Sequence, residues 1–105
     1  MLVVRMTFCK LDPKRIEQAK AIFNREIIPV MRDEEGNVGI RLLEPEDSSG
    51  DFISVSEWRS QYYADLHEQS GLHIKLLKRL EPFLLRPPVM KVYSTEEVKL
   101  FTGVF

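Results

Sequence analysis

The sequence predicts an α+β domain in which helices cover one face of a four-stranded antiparallel sheet. Four segments rich in Val, Ile, Leu, Met and Phe are typical of strands, and two longer stretches repeat apolar residues at helical spacing. The elements follow in the order strand, helix, strand, strand, helix, strand. This split β-α-β order places both helices on one side of the sheet. The other side must be polar or covered by a partner.

The first half of the chain supplies one strand and one helix. Leu2 to Phe8 is predicted as the strand. Asp12 is expected to cap the helix, with Pro13 at the first helical position, where a missing N–H does no harm. Pro29 is expected to bend or end this helix, with a final turn to about Arg32. The charged run Arg32-Asp33-Glu34-Glu35 that follows is expected to be a solvated turn. Its apolar stripe consists of Ile16, Ala19, Phe23, Ile27 and Val30/Met31.

The second half supplies three strands and an interrupted helix. Val38 to Pro45 and Phe52 to Trp58 are predicted as antiparallel neighbours, because the short polar loop Glu46 to Gly50 joins them. The helical pattern begins at Ser60, with an interruption at Ser70-Gly71. The last strand is predicted from Val89 to Tyr93, after two prolines.

Residues 1–94 are therefore predicted to form one domain, followed by a C-terminal tail or arm of residues 95–105. Ser94 and Glu97 have the spacing of a capping box. We expect the apolar stretch Val98–Phe105 either to close a partner's pocket or to be a frayed end.

Composition argues against several classes of protein. The 105 residues include 15 Lys+Arg and 16 Asp+Glu, for a net charge of −1, so the chain lacks the concentrated positive field that nucleic acid requires. The single cysteine, Cys9, cannot form an internal disulfide, and no residues have metal-ligand spacing. No segment has the pattern of a signal peptide or a membrane span. We expect a cytoplasmic protein with no nucleic-acid, membrane or metal partner.

Strand alternation assigns the side chains to two faces of the sheet. The face that mixes apolar and charged residues is predicted to include Arg5, Arg41 and Glu57, so that Glu57 can pair with either arginine. Such a half-apolar face predicts packing against the sheet of a second copy, although an ordinary half-exposed face is the simpler alternative. The side chains assigned to the helix-covered face are Leu2, Val4, Met6, Phe8, Val38, Ile40, Leu42, Met90 and Val92.

The third strand breaks the apolar pattern of the helix-covered face. Ser54 and Ser56 stand between Phe52 and Trp58, where bulky side chains normally fill a core. This predicts a gap between sheet and helices, which is typical of a small-molecule site. The alternative is that large helix side chains, such as Phe23 or Tyr63, occupy the space.

Trp58, His67 and His73 are the candidate residues for chemistry. Trp58 offers a flat surface and one N–H donor, although spacing alone favours a core aromatic. Either histidine can serve as a general base, since imidazole titrates near neutrality; the alternative is a histidine bonded to a backbone carbonyl at a helix boundary. On one ideal helix the two rings would lie about 120° apart, which is not the same-face pair that a metal prefers.

The run Trp58-Arg59-Ser60, followed by His67, Ser70 and His73, resembles the antibiotic biosynthesis monooxygenase family. Its members commonly carry a strand-ending Trp, a nearby Ser and an H-x-x-S-x-x-H-like stretch, and the entry Gly36-Asn37-Val38-Gly39 to the second strand is also similar. The resemblance implies a ferredoxin-like βαββαβ subunit that dimerises through its sheets into a dimeric α/β barrel. It also implies a pocket between sheet and helices in each subunit.

Members of this family include cofactor-free oxygenases of polycyclic phenols or quinols, haem-degrading enzymes and isomerases of small phosphorylated sugars. The haem-degrading branch fits poorly, because the first strand has no Asn and Leu77 stands where its haem-ligating His would be. The isomerase branch would need Arg5 or Arg41 to meet a phosphate, and strand alternation assigns both to the dimer face.

The resemblance therefore implies a cofactor-independent monooxygenase, an oxidoreductase that acts on an electron-rich aromatic such as a quinol. His67 or His73 would remove a phenolic proton, and the anion would react directly with oxygen. No cofactor or metal is expected, because the substrate supplies the electrons. The alternative is a non-catalytic small-ligand-binding or stress-associated dimer. The residues expected to contact the substrate or ligand are Ser54, Ser56, Trp58 and Tyr63.

Overall fold

Helices cover one face of a four-stranded antiparallel sheet in the computed structural model, which describes residues 2–95. The strands are β1 Val3–Cys9, β2 Asn37–Leu43, β3 Phe52–Trp58 and β4 Val89–Ser94. Their order across the sheet is β2-β3-β1-β4, the ferredoxin-like arrangement that the element order predicts. The sheet is open in the single chain, so the predicted barrel requires a second copy. The predictions for Glu97 and for Val98–Phe105 lie outside the described residues.

The first helix begins later than predicted. Asp12 accepts a hydrogen bond from the backbone N–H of Lys14 at 3.0 Å and so stabilises a turn, while the helix starts at Ile16. Pro29 does not end the helix. It cannot donate to the carbonyl four residues back, and the helix widens into a π-helical segment just before it. The helical segments are α1 Ile16–Ile22, the π-helix Phe23–Ile27, α2 Ile28–Arg32, α3 Gln61–Gln69, α4 Leu72–Leu80 and the 3₁₀ turn Glu81–Phe83.

The register of β1 shows that the predicted assignment of its two faces is wrong. Arg5 lies opposite Ser56 and Thr7 lies opposite Ser54, so the odd-numbered residues of β1 face the helices. Alternation separates the two sets without saying which one faces inward, and the prediction had taken the uniformly apolar set as the inner one. Val38 was also misplaced: it falls in a bulge between Asn37 and Gly39 and is exposed.

The core lies between the sheet and the helices. Most of the predicted stripe of the first helix is buried there, whereas Val30 is exposed; the buried members are Ala19, Phe23, Ile27 and Met31. Trp58 and Phe23 are the largest fully buried side chains. A second group of buried residues surrounds Phe52 and Phe83 at the other end of the sheet. Both groups pack between the helices and the sheet and so separate the two layers.

The opposite face of the sheet, called the outer face below, carries apolar residues from all four strands. On β1 these are Val4, Met6 and Phe8, which the prediction had placed inside. Arg41 and Glu57 lie 4.0 Å apart on this face, one of the two ion pairs that were predicted. Within the described residues, no helix combines the length and the apolar character that a bilayer crossing demands.

Candidate functional site

A cavity lies between the sheet and the helices beneath β3. It has about 50 Å³ of room, which is space for roughly four water molecules. The two serines of β3 and the large helix side chain Phe23 all line it. The polar side chains that line it are Arg5, Thr7, Ser54, Ser56, His67 and His73.

The two histidines meet in this cavity because the helical stretch breaks between them. Gly71 has a φ of 81°, a left-handed conformation that glycine adopts without strain, and it separates α3 from α4. The His67 and His73 ring centroids are 5.8 Å apart with an interplanar angle of 73°. The separation expected on one continuous helix therefore does not apply.

His67 is held by a carboxylate. Its side chain is 1% exposed, and Nδ1 lies 2.9 Å from Oε1 of Glu34. A carboxylate only accepts hydrogen bonds, so this contact assigns the proton of a neutral imidazole to Nδ1 and leaves a lone pair on Nε2. Nε2 is buried and has no hydrogen-bond partner in the described part of the chain. The arrangement leaves a buried proton acceptor in a side chain that lines the cavity.

Glu34 was missed by sequence reasoning, which took the acidic run Asp33-Glu34-Glu35 for a solvated turn. The structure corrects this for Glu34, which lies 33 positions from His67 in the chain. No local pattern links the two residues. Only the return of the chain from α2 into β2 brings the turn beside α3.

Trp58 lies behind His67 and outside the lining of the cavity. It is fully buried, and its ring stacks on His67 with centroids 4.8 Å apart and an interplanar angle of 28°. Its Nε1 donates to Oγ of Ser56 at 3.1 Å. Tyr63 also lies outside the lining and packs directly on Gly36. Of the residues predicted to contact a ligand, Ser54 and Ser56 thus line the cavity.

Arg5 is the second functional candidate that sequence reasoning missed. Its side chain is 4% exposed, and Nη2 donates to Oε2 of Glu68 at 2.8 Å. Its Nε and Nη1 groups are buried without a hydrogen-bond partner among the described residues. A lone charge within an apolar strand was the available signal, but the wrong face assignment directed Arg5 away from the helices.

Burial alters the protonation of two groups at the site. Desolvation lowers the pKa of His73 below its ordinary value of 6.5. The charge of Arg5, and that of His67 when it is protonated, lower the pKa further, while Glu68 opposes them. Desolvation raises the pKa of the Cys9 thiol to about 11, with a smaller contribution from Asp51. Cys9 is buried and behaves as a small core residue.

Over the described range, no three His, Cys, Asp or Glu side chains gather into a group that could hold a metal ion. The polar groups of the cavity are hydroxyls, two imidazoles and one guanidinium. The carboxylate of Glu34 bonds to the imidazole of His67, and that of Glu68 bonds to the guanidinium of Arg5. This set can transfer a proton and can hold an anion.

The sheet order and this cavity define a ferredoxin-like α+β domain with a histidine-lined cavity between its layers. The family model for antibiotic biosynthesis monooxygenase matches residues 1–79, three quarters of the chain. The protein belongs to this family, as the Trp58 to His73 motif predicts. Among curated proteins, none matches the sequence significantly.

Solved structures with the same fold come from diverse microbes. A protein from Mycobacterium tuberculosis is 20% identical, with a TM-score of 0.76, over 95% of this chain and 100% of its own. A conserved protein from Methanosarcina mazei is 16% identical, with a TM-score of 0.76, over 91% and 95%. A monooxygenase from Streptomyces coelicolor, solved with the ligand nanaomycin D, is 16% identical, with a TM-score of 0.73, over 94% and 90%. At these identities the likeness concerns the fold.

Proposed function

We propose that this protein is a cofactor-independent monooxygenase that oxidises an electron-rich phenol or quinol, with His67 as the general base. The observation that carries the proposal is the bond from Nδ1 of His67 to Glu34, which leaves Nε2 as a buried acceptor without a protein partner among the described residues. A base must present its lone pair toward the proton that it abstracts. Membership of a monooxygenase family supports the reaction class.

In the proposed reaction, Nε2 of His67 takes the phenolic proton and the electron-rich ring carbon then reacts with oxygen. A C–O bond forms, the O–O bond breaks and a ring C–H bond is lost. For a simple phenol, one oxygen atom becomes the second carbonyl of a quinone and the other leaves as water. The two electron pairs that reduce oxygen come from the substrate. The apolar lining excludes water from the charged intermediate.

The other predicted site residues have distinct roles in this proposal. The hydroxyls of Ser54 and Ser56 contact the substrate from the sheet. Trp58 acts through His67, against which it stacks, and is a positioning residue. Tyr63 supports the turn that carries Glu34 by packing on Gly36. His73 lies beside His67 as a second acceptor whose lowered pKa favours the neutral ring.

The substrate must enlarge the cavity. About 50 Å³ holds a few waters, whereas even a benzene-binding protein cavity measures about 150 Å³. The lining includes Met31, Met90 and Leu76, and unbranched methionines adjust readily to new shapes. We therefore place single-ring phenols first among the test substrates and polycyclic ones second.

We also propose that the protein is a homodimer whose outer faces pack against each other. Leu43, Val89 and Tyr93 are exposed apolar residues on this face. Sedimentation at micromolar concentration is expected to give twice the chain mass. Ile53→Glu, on the outer face of the inner strand β3, is expected to give the monomer. Leu85→Glu, at an exposed leucine elsewhere, is the control and should remain dimeric. A monomeric wild-type protein would overturn the dimer.

The test of the reaction is oxygen uptake by the purified protein with a panel of phenols and quinols, in the presence of a chelator and without added flavin. We expect oxygen consumption and a quinone product, and a fall of about 100-fold or more with His67→Gln. Tyr62→Phe, at an exposed ring, is the control. Saturable binding without oxygen consumption would instead establish the non-catalytic binding protein. Turnover that survives both His67→Gln and His73→Gln would overturn the choice of base.

A further inference from the structure

We propose that Arg5 forms a binding site for a delocalised oxyanion, the phenolate or enolate oxygen of the ligand, on the sheet side of the cavity. The identity of the anion rests on the proposed function. The site itself follows from contacts in the structure, and ligand binding to it can be measured without any catalytic step.

The first observation is the incomplete bonding of the Arg5 side chain. A guanidinium remains charged at all relevant pH values, and burying it without partners costs free energy. Arg5 is 4% exposed, and its contact to Glu68 uses one N–H group on a partner that is itself 49% exposed. Nε and Nη1 are buried without partners within the described residues, in a side chain that lines the cavity. A bound oxygen atom would accept hydrogen bonds from these unpaired N–H groups.

The second observation is that hydroxyl groups surround Arg5 on the same face of the sheet. Ser56 lies directly across from Arg5, and Thr7 and Ser54 form the next pair along the strands. The Oγ atom of Ser56 already accepts a hydrogen bond from Trp58, so its own proton is free to be donated. This side of the cavity therefore offers donors to a ligand oxygen.

The charges at the site favour a monoanion. The charge of Arg5 is partly balanced by Glu68, and a second carboxylate, Glu34, lies against His67. A phosphate dianion would meet one shared positive charge, because Arg5 is the only Lys or Arg side chain among the described residues that line the cavity. A phenolate spreads a single charge over its ring, so its transfer from water to an apolar cavity costs less than that of a compact, strongly hydrated ion.

Arg5 and His67 then act on the same bond of the substrate from different sides. His67 takes the proton, and Arg5 stabilises the oxygen that loses it. The positive charge of Arg5 beside the bound oxygen would favour the ionised form of the phenol. The site thereby explains how a phenol would be deprotonated at neutral pH, and it limits substrates to those whose acidic oxygen reaches the sheet.

The experiment uses 4-nitrophenol, whose neutral and ionised forms differ in visible absorption. We expect the wild-type protein to bind the phenolate about tenfold more tightly than the phenol, which lowers the apparent pKa of the bound probe by about one unit. Arg5→Met should abolish that preference. Binding of phenolate that is unchanged in Arg5→Met would overturn the proposal.

Glu68→Gln is a second variant that does not depend on the stability of Arg5→Met. It removes the carboxylate that shares the charge of Arg5 and lies at a half-exposed position, so we expect phenolate to bind severalfold more tightly. Glu26→Gln is the matched control, because it breaks the surface ion pair with Arg79 and should leave binding unchanged. Equal phenolate affinity in the wild type and Glu68→Gln would contradict the site.

Two further measurements distinguish the oxyanion site from a phosphate site and from the oxidation reaction. Phenyl phosphate and inorganic phosphate should not displace 4-nitrophenolate; Arg5-dependent displacement would reassign the site to phosphate and overturn the oxyanion class. Because the probe assay needs no oxygen, Arg5-dependent phenolate binding without oxygen uptake would refute the monooxygenase and support the anion site. Oxygen uptake without Arg5-dependent phenolate binding would refute the anion site and support the monooxygenase.

Discussion

The imidazole of His67 and the carboxylate of Glu34 form a 2.9 Å contact across 33 positions of the chain. One residue is almost fully buried on α3, and the other belongs to the turn before β2. Since a carboxylate only accepts hydrogen bonds, the contact determines which nitrogen of a neutral His67 ring remains available. A residue in a turn thus controls the proton acceptor of the cavity.

Glu34→Gln is expected to remove the preference of His67 for one neutral tautomer, with little change in the size of the side chain at position 34. An amide can donate or accept, so the His67 ring would sample both neutral tautomers, and turnover should fall about tenfold or more with a smaller effect on KM. Nitrogen NMR shifts of His67 should show a single tautomer in the wild type and a mixture in the variant. Glu35→Gln, at the exposed neighbour, is the control. A single tautomer and full activity in Glu34→Gln would show that the contact has no positioning role.

Trp58→Phe is expected to destabilise the protein by about 1–3 kcal/mol. The change removes the hydrogen bond to Ser56 and leaves space in the core, because Trp58 has no exposed surface. Urea unfolding measures the effect. Tyr62→Phe, at an exposed tyrosine, should shift stability by less than about 0.5 kcal/mol. Equal midpoints for the two variants would contradict the packing role assigned to Trp58.

Gly71→Ala is expected to cost about 1–2 kcal/mol, because alanine at a φ of 81° places its Cβ too close to the backbone. The strain is purely conformational, since beyond the adjoining backbone no described atom lies within 4 Å of an added Cβ. Gly39→Ala is a matched control, with equally open space and no positive φ, and should leave stability unchanged or slightly raised. If both variants unfold at the same urea concentration, the helix break does not depend on Gly71.

The lowered pKa of His73 predicts how stability depends on pH. Below the ordinary value of 6.5 the unfolded chain takes up a proton that the folded site resists, so this residue lowers the free energy of unfolding as pH falls through that range. His73→Gln should not lose stability in this way. The difference in free energy of unfolding between the wild type and this variant should therefore change as pH is lowered from 8 to 5. Parallel unfolding midpoints at every pH would argue against burial of the ring.

The Cys9 thiol is expected to resist alkylation in the native protein. A pKa raised to about 11 from 9.0 lowers the thiolate fraction near neutral pH about 100-fold, and burial blocks access as well. Mass spectrometry after iodoacetamide treatment at pH 8 should show little label on the folded chain and full label in urea. Rapid labelling of folded protein would contradict the buried position of Cys9.

The elements of the fold were predictable because their signals are local. β3 spans Phe52–Trp58 in both the prediction and the structure, and the helical stretch breaks at Gly71 as predicted. The serines of β3 and the two histidines were identified by residue types that suit a binding site, and all four line the cavity. Their catalytic and binding roles are still predictions.

The outer and inner faces of β1 show where local signals fail. A period of two separates the side chains into two sets, but it does not say which set faces the helices. The uniformly apolar set of β1 was assigned to the helices, which left Arg5, in the mixed set, on the outer face. The register against Ser56 reverses the assignment and brings Arg5 into the cavity.

The amino-acid order alone therefore determined the α+β class, the family and the serine and histidine side chains that line the cavity. The tertiary structure decided that Arg5 enters the cavity, that Glu34 holds His67 and that Trp58 lies behind His67 rather than against a ligand. The reason is physical: helices and strands arise from neighbouring residues, whereas a buried charge and its partners are selected by contacts between segments that are far apart in the chain.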